Sequence, residues 1–125
     1  RGLRAAGVID GRGRWAAGDS VLVQTGDILD RGDGEYDAIR LLRALRRQAH
    51  DHGGHVAWLV GNHEYLNAVA DLSYVTDGGY APFDRLMRRW RGEIDAWATD
   101  DDGFEHQRAR LAALSPGGLV ARALA

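Results

Sequence analysis

Residues Ser20–Glu64 read SVLVQTGDILDRGDGEYDAIRLLRALRRQAHDHGGHVAWLVGNHE, and this stretch decides the fold. Ser20–Thr25 is short, rich in β-branched residues and stopped by Gly26, which predicts a buried strand. Residues 26–34 hold three Gly and four Asp or Arg, the composition of a loop. From Glu35 to His50 the positions Ala38, Leu42, Leu45 and Ala49 repeat at helical spacing, with Ile39 and Leu41 flanking that face. Arg40, Arg43, Arg46 and Arg47 fall toward the C-terminal half, where cations suit the helix dipole. Gly53 and Gly54 stop that helix. His55–Val60 is a second apolar strand, stopped by Gly61. Strand, helix and strand with short connections predict a βαβ unit with parallel strands and a right-handed crossover. Both strands then end at one edge of one sheet, the edge where open α/β sheets bind ligands. The segments after Thr25 and after Val60 become neighbours in space.

The flanks are less informative. Leu3–Ala6 reads as the last turn of a helix, and residues 10–19 as a Gly-rich loop or hairpin. Beyond the second strand, Tyr65–Asp71 predicts a short helix. Pro82–Ala98 predicts a longer one with Phe83, Leu86, Met87, Trp90, Ile94 and Trp97 as its apolar stripe. Asp100–Gly103 reads as a turn. Residues 104–114 are helical but weakly patterned, and 119–125 start another helix. The expected organisation is one α/β domain over residues 1–125. Its core sheet unit is 1–64, and a mostly helical, cap-like elaboration is 65–125.

Composition narrows the chemistry. The chain has 125 residues, 17 Gly, no Cys and a net charge of −2. Without cysteine, disulfides, thiolate metal sites and thiol nucleophiles are excluded. All 16 cations are Arg, a uniform bias that marks no particular site. The near-neutral balance gives no global basic field for nucleic acid. No apolar run reaches the roughly 18 residues of a membrane span.

Two segments carry reactive side chains: Gly26-Asp27-Ile28-Leu29-Asp30-Arg31-Gly32 and Gly61-Asn62-His63-Glu64. An Asp at a strand end can bridge two cations, and the Asn62 amide oxygen adds a neutral hard ligand. Two cations about 3.5–4 Å apart can hold a water and make hydroxide available near neutrality. Arg31 can fork onto phosphate oxygens. His63 can supply a proton to a departing alkoxide. A carboxylate beside that imidazole holds its orientation, and Asp30 is the candidate. Either motif alone is a weak or moderate signal. Both, each after an apolar strand and joined by one helix, form a strong one.

The pattern resembles the calcineurin-like metallophosphoesterase superfamily: a strand-end Asp-x-His, then Gly-Asp-x-x-Asp, then Gly-Asn-His-Asp/Glu, then two further His motifs. Asp-Arg-Gly in the first segment and Glu64 in the second are similar to its protein-phosphatase branch. The wording GVIDGRGRWAAGDSVLVQTGDILDRG, GNHEYLN and LSYVTDGGYAPF resembles the Shewanella-like protein phosphatases found in bacteria. The resemblance implies a partial metallophosphoesterase sandwich with a βαβ core. It implies two divalent metal ions (Mn, Fe or Zn), Asp27 as bridging ligand and Asn62 on the second metal. His63 would be the general acid assisted by Asp30, and Arg31 the phosphate-binding residue, with no catalytic role for Glu64. The substrate would be a phosphorylated protein or a small phosphomonoester.

Two parts of the family pattern are absent. Asp10-Gly11-Arg12 has the Asp of Asp-x-His without the His, and the only later histidine is His106. The chain is therefore expected to be an internal portion of a longer enzyme and inactive alone. The alternatives are a dinucleoside polyphosphate hydrolase of the same superfamily, disfavoured by Asp30 and Glu64, and a non-catalytic scaffold, expected to lose Asp27, Asn62 or His63. An EF-hand is disfavoured because Asp27, Asp30 and Asp33 lack its alternate spacing and closing Glu. His50, His52 and His55 straddle a helix end and are expected in solvent. Arg85, Arg88, Arg89 and Arg91 are expected on a solvated helix face.

Overall fold

A computed structural model of the chain describes residues 1–86, 105–114, 117–118 and 120–124. The order is α1 (Gly2–Ala5), β1 (Val21–Gln24), α2 (Glu35–Asp51), β2 (His55–Trp58) and α3 (Asn62–Ala68). A 3-10 turn at Asp77–Gly79 follows, then a helical stretch over 81–86 (α4), α5 (Glu105–Leu114) and α6 (Ala121–Leu124). The later part of the expected 82–98 helix and the turn at 100–103 lie outside the described residues.

The βαβ unit forms as its periodicity requires. β1 and β2 pair in parallel, from Val21 opposite His55 to Gln24 opposite Trp58. α2 buries Ile39, Leu42, Leu45 and Ala49 and starts with Glu35 and Asp37 in its first turn, where carboxylates suit the dipole. One apolar cluster joins Leu42, Leu45 and Ala49 to Val56 and Trp15. A second joins Ile39 to Leu29, Phe83, Ala113, Leu114 and Val120. The helical C-terminal residues are thus part of the core on which the first loop rests.

The N-terminal segment is anchored by Trp15. Ile9 and Trp15 form an antiparallel bridge. The Trp15 ring is buried, its N–H donating to the Gly18 carbonyl at 2.8 Å and its backbone N–H to Gln48 Oε1 at 2.8 Å. Asp10 accepts the backbone N–H groups of Arg12 and Arg14 at 2.8 and 2.9 Å. The Arg14 N–H bond is the main cause that holds its carboxyl below the usual carboxylate range. Asp10 is a turn-forming residue here.

The expected burial of the strands needs correction. Val21 is 64% exposed, Val23 50% and Val60 75%. Alternation along β1 points Leu22 toward the α2 side and Val21 and Val23 the other way. Parallel strands are ordinarily covered on both faces, whereas the described residues cover one. The second strand is also shorter than expected and ends at Trp58, although Leu59 N–H still reaches the Gln24 carbonyl at 2.8 Å. Among the described residues no helix is long and apolar enough to cross a membrane.

This division of faces yields a stability contrast. Leu45 is fully buried, so Leu45→Ala should cost about 2–5 kcal/mol. Val23→Ala on the open face should cost under about 0.5 kcal/mol. Urea unfolding followed by circular dichroism measures both, and equal losses would show that the open face is buried in solution.

Candidate active site

The first loop leaves β1 in a costly conformation. Gly26 turns at φ +96°, and Asp27, Asp30 and Arg31 all lie in the left-handed region at φ 58°, 69° and 58°. Each non-glycine residue held there costs about 1–2 kcal/mol. The loop is held because five consecutive backbone N–H groups find acceptors. Asp27 donates to Glu64 Oε2 at 2.7 Å, and Ile28 and Leu29 donate to Glu64 Oε1 at 2.8 and 3.2 Å. Asp30 donates to Glu35 Oε2 at 2.7 Å, and Arg31 to the Tyr74 carbonyl at 3.0 Å. These amides face the protein. They are therefore not free to cradle an anion in the manner of a phosphate-binding nest. Negative charge on a ligand has to be met by side chains or by cations.

Glu64 also accepts the Gly61 N–H at 2.8 Å, so one buried carboxylate ties the two segments together. The second segment, expected to precede a helix that starts at Tyr65, instead forms the first turn of α3. Gly61 is its N-cap in extended backbone, and Glu64 at the third helical position reaches back to the N-cap amide. That is half of a capping box, which starts the helix three residues earlier than apolar periodicity alone indicates. The segments touch backbone to backbone. A Cβ on Gly26 would lie 2.3 Å from Gly61 N, and one on Gly61 2.2 Å from Asp27 Oδ1.

This close approach brings the candidate residues together. His63 N–H donates to Asp27 Oδ1 at 3.2 Å. His63 Nδ1 lies 2.8 Å from Asp30 Oδ2, with both side chains buried. With Asp30 ionised, that contact places a proton on Nδ1 and fixes the ring's direction. Asp30 Oδ1 accepts from Asn67 Nδ2 at 3.0 Å and from Arg110 Nη2 at 3.1 Å. Arg31 is exposed, its guanidinium 5.1 Å from the centre of the Tyr74 ring. Tyr74 meets the His63 ring edge to face at 5.2 Å. Arg31, Tyr74 and His63 therefore form one continuous wall.

Asp27 is exposed at the sheet edge, and Asn62 lies against it. The Asn62 amide has two orientations. With Nδ2 toward Asp27 it donates across 3.1 and 3.3 Å to the two carboxylate oxygens. With Oδ1 there instead, the amide oxygen faces both carboxylate oxygens at those distances, a contact that repels unless a cation lies between them. Oxygens at right angles around an ion with bonds of about 2.1 Å lie about 3 Å apart. In that second orientation Asp27 and Asn62 supply adjacent hard oxygen donors, the chemistry a divalent ion takes. Among the described residues no group of three or more His, Asp or Glu could hold a metal by itself. His50, His52 and His55 are exposed at the end of α2 and the start of β2.

Sequence reasoning missed five residues that build this site: Glu35, Glu64, Asn67, Tyr74 and Arg110. Only Glu64 had a readable signal, its position three after the Gly61 cap.

Residues 11–112 match the calcineurin-like phosphoesterase family, and the chain belongs to that family. It is 34% identical to Shewanella-like protein phosphatase 2 of Arabidopsis thaliana over 96% of its own length and 36% of that protein. It is 45% identical over 65% of its length to an uncharacterised protein of Schizosaccharomyces pombe, of which it covers 25%. The structure is similar to the cold-active protein-tyrosine phosphatase of a psychrophilic Shewanella, with a TM-score of 0.62 and 38% identity. That match covers 69% of this chain and 26% of the other. The chain thus spans about a third or less of these relatives. They come from a plant, a yeast and a bacterium, a wider range than the bacterial source the sequence suggested. Calcineurin-like phosphoesterases use divalent metal ions in general.

Glu64→Gln tests the tie between the segments. The amide would point donors at backbone N–H groups, costing about 2–4 kcal/mol. Hydrogen exchange should quicken at Asp27, Ile28 and Gly61 before it does in α2. Unchanged protection at those amides would show that the tie is dispensable.

Proposed function

We propose that this chain carries the central part of a metal-dependent phosphomonoester hydrolase acting on phosphorylated protein side chains. The observation that supports it most is the meeting, at one sheet edge, of Asp27 with Asn62, the His63–Asp30 pair and Arg31. The relatives named as protein phosphatases support the substrate class.

Asp27 and Asn62 would hold the metal; Mn, Fe and Zn all suit such oxygen donors together with histidine. Bound there, the ions supply activation of the attacking water and charge for the phosphoryl group. Arg31 binds the phosphate oxygens, a task left to its guanidinium because the loop amides are already occupied. Water oxygen forms the new bond to phosphorus as the bond from phosphorus to the ester oxygen breaks, and the proton that the water gives up passes to solvent. His63, which must carry a proton on both ring nitrogens for this step, would deliver the one on Nε2 to that oxygen while Asp30 holds the ring through Nδ1–H. Two oxygen-donor residues cannot complete two metal sites. Among the described residues no further His, Asp or Glu joins them, so the remaining ligands would come from elsewhere in the longer protein, and this chain alone would be inactive.

In the full-length protein, Asp27→Asn should abolish metal loading, read by calorimetric titration with Mn. His63→Asn should keep metal binding and lower kcat by about 10²–10⁴-fold. Wild-type rates in both variants would refute the site. Robust phosphatase turnover by the 125-residue chain would refute its incompleteness.

A further inference from the structure

α5 looks the least informative helix in sequence, yet it delivers a fully buried arginine beneath the site. Arg110 Nε donates to Asn67 Oδ1 at 2.7 Å, and Nη2 donates to Asp30 Oδ1 at 3.1 Å and Glu35 Oε2 at 3.0 Å. Nη1 donates to the Gly79 carbonyl at 3.0 Å and forms an ion pair with Glu35 Oε1. The guanidinium also lies 4.9 Å over the Phe83 ring.

These bonds control how Asp30 presents its two oxygens. Arg110 and Asn67 both occupy Oδ1, which leaves Oδ2 for His63 Nδ1. Asn67 is itself set by Arg110 through its Oδ1, and its Nδ2 also donates to the His63 carbonyl at 2.9 Å. Glu35, gripped by the same guanidinium, takes the Asp30 backbone N–H. Arg110 therefore bears on Asp30 from both side chain and main chain. A buried ion network contributes little net stability compared with well-packed apolar groups, whereas a fork of fixed donors orients carboxylates closely.

We infer that Arg110 is a positioning residue for the general acid, acting through Asp30 and Asn67 to hold the His63 ring toward the leaving group. This rests on the reading of His63 as the proton donor. Arg110 also packs in the core, so its loss can lower stability as well, and the test has to separate the two effects.

The test compares two esters in the full-length protein. Phenyl phosphate has a leaving group that needs a proton, and dinitrophenyl phosphate has one that does not. Arg110→Gln should lower kcat on phenyl phosphate by at least about tenfold and on dinitrophenyl phosphate by under about threefold, with KM and Mn binding unchanged. Equal losses on both esters, or no loss on either, would overturn the inference. If Arg110→Gln does not fold by circular dichroism, Arg110→Lys is read on the same pair, because it keeps the cation and loses the fork. If the wild type hydrolyses neither ester, the catalytic reading fails, and Arg110 is judged by nuclear magnetic resonance on this chain. The His63 Nδ1–H signal, bonded to Asp30 in the wild type, should disappear in Arg110→Gln. Its persistence would contradict the positioning role.

Discussion

Four backbone N–H groups, those of Asp27, Ile28, Leu29 and Gly61, converge on the carboxylate of Glu64. Each bond is charge-assisted and sheltered from water, which makes it stronger than a neutral pair at the surface. The two segments leave two different strands, and without this anion their amides would face one another with no acceptor between them. The tie also offsets the cost of the left-handed turn at Asp27, while Glu35 and the Tyr74 carbonyl hold those at Asp30 and Arg31. Glycine at 26 and 61 follows from the same constraint, since backbones drawn this close leave no room for Cβ.

Beneath that tie lies a second polar layer, made by Glu35, Asp30, Asn67 and Arg110. Groups of this polarity are buried only when each finds a partner. Here Asp30, Asn67 and Glu35 share the donors of one guanidinium and one carboxamide. Phe83 of the neighbouring apolar cluster lies against the Arg110 guanidinium, and all four polar side chains of the layer are buried. The C-terminal helices thus join the site from the core side, through Arg110 and the packing of α5 on α3.

The parts legible in sequence were those with a short-range signal. α2 announced itself through Leu42, Leu45 and Ala49, and the strands through β-branched runs stopped by glycine. The pairing of Asp30 with His63 followed from two recognisable segments placed at one edge by a βαβ unit. Exposure of Val21 and Val23 was not legible, because an apolar run looks the same whether one or both faces are covered. Arg110 was hidden because its partners lie 43, 75 and 80 positions away in sequence. A buried arginine also interrupts the apolar stripe that would have marked its helix. Tyr74 sits in a stretch with no periodicity, and only its contacts with Arg31 and His63 reveal its place.

The central claim is that the edge where the two strands end is a cation site centred on Asp27 and Asn62. Titrating Mn²⁺ into the isotopically labelled chain and following amide line broadening reads that location even when binding is weak. Broadening should be strongest at Asp27, Ile28, Asn62 and His63, with His50, His52 and His55 little affected. Broadening centred on those three histidines, or spread evenly over the acidic surface, would contradict the account.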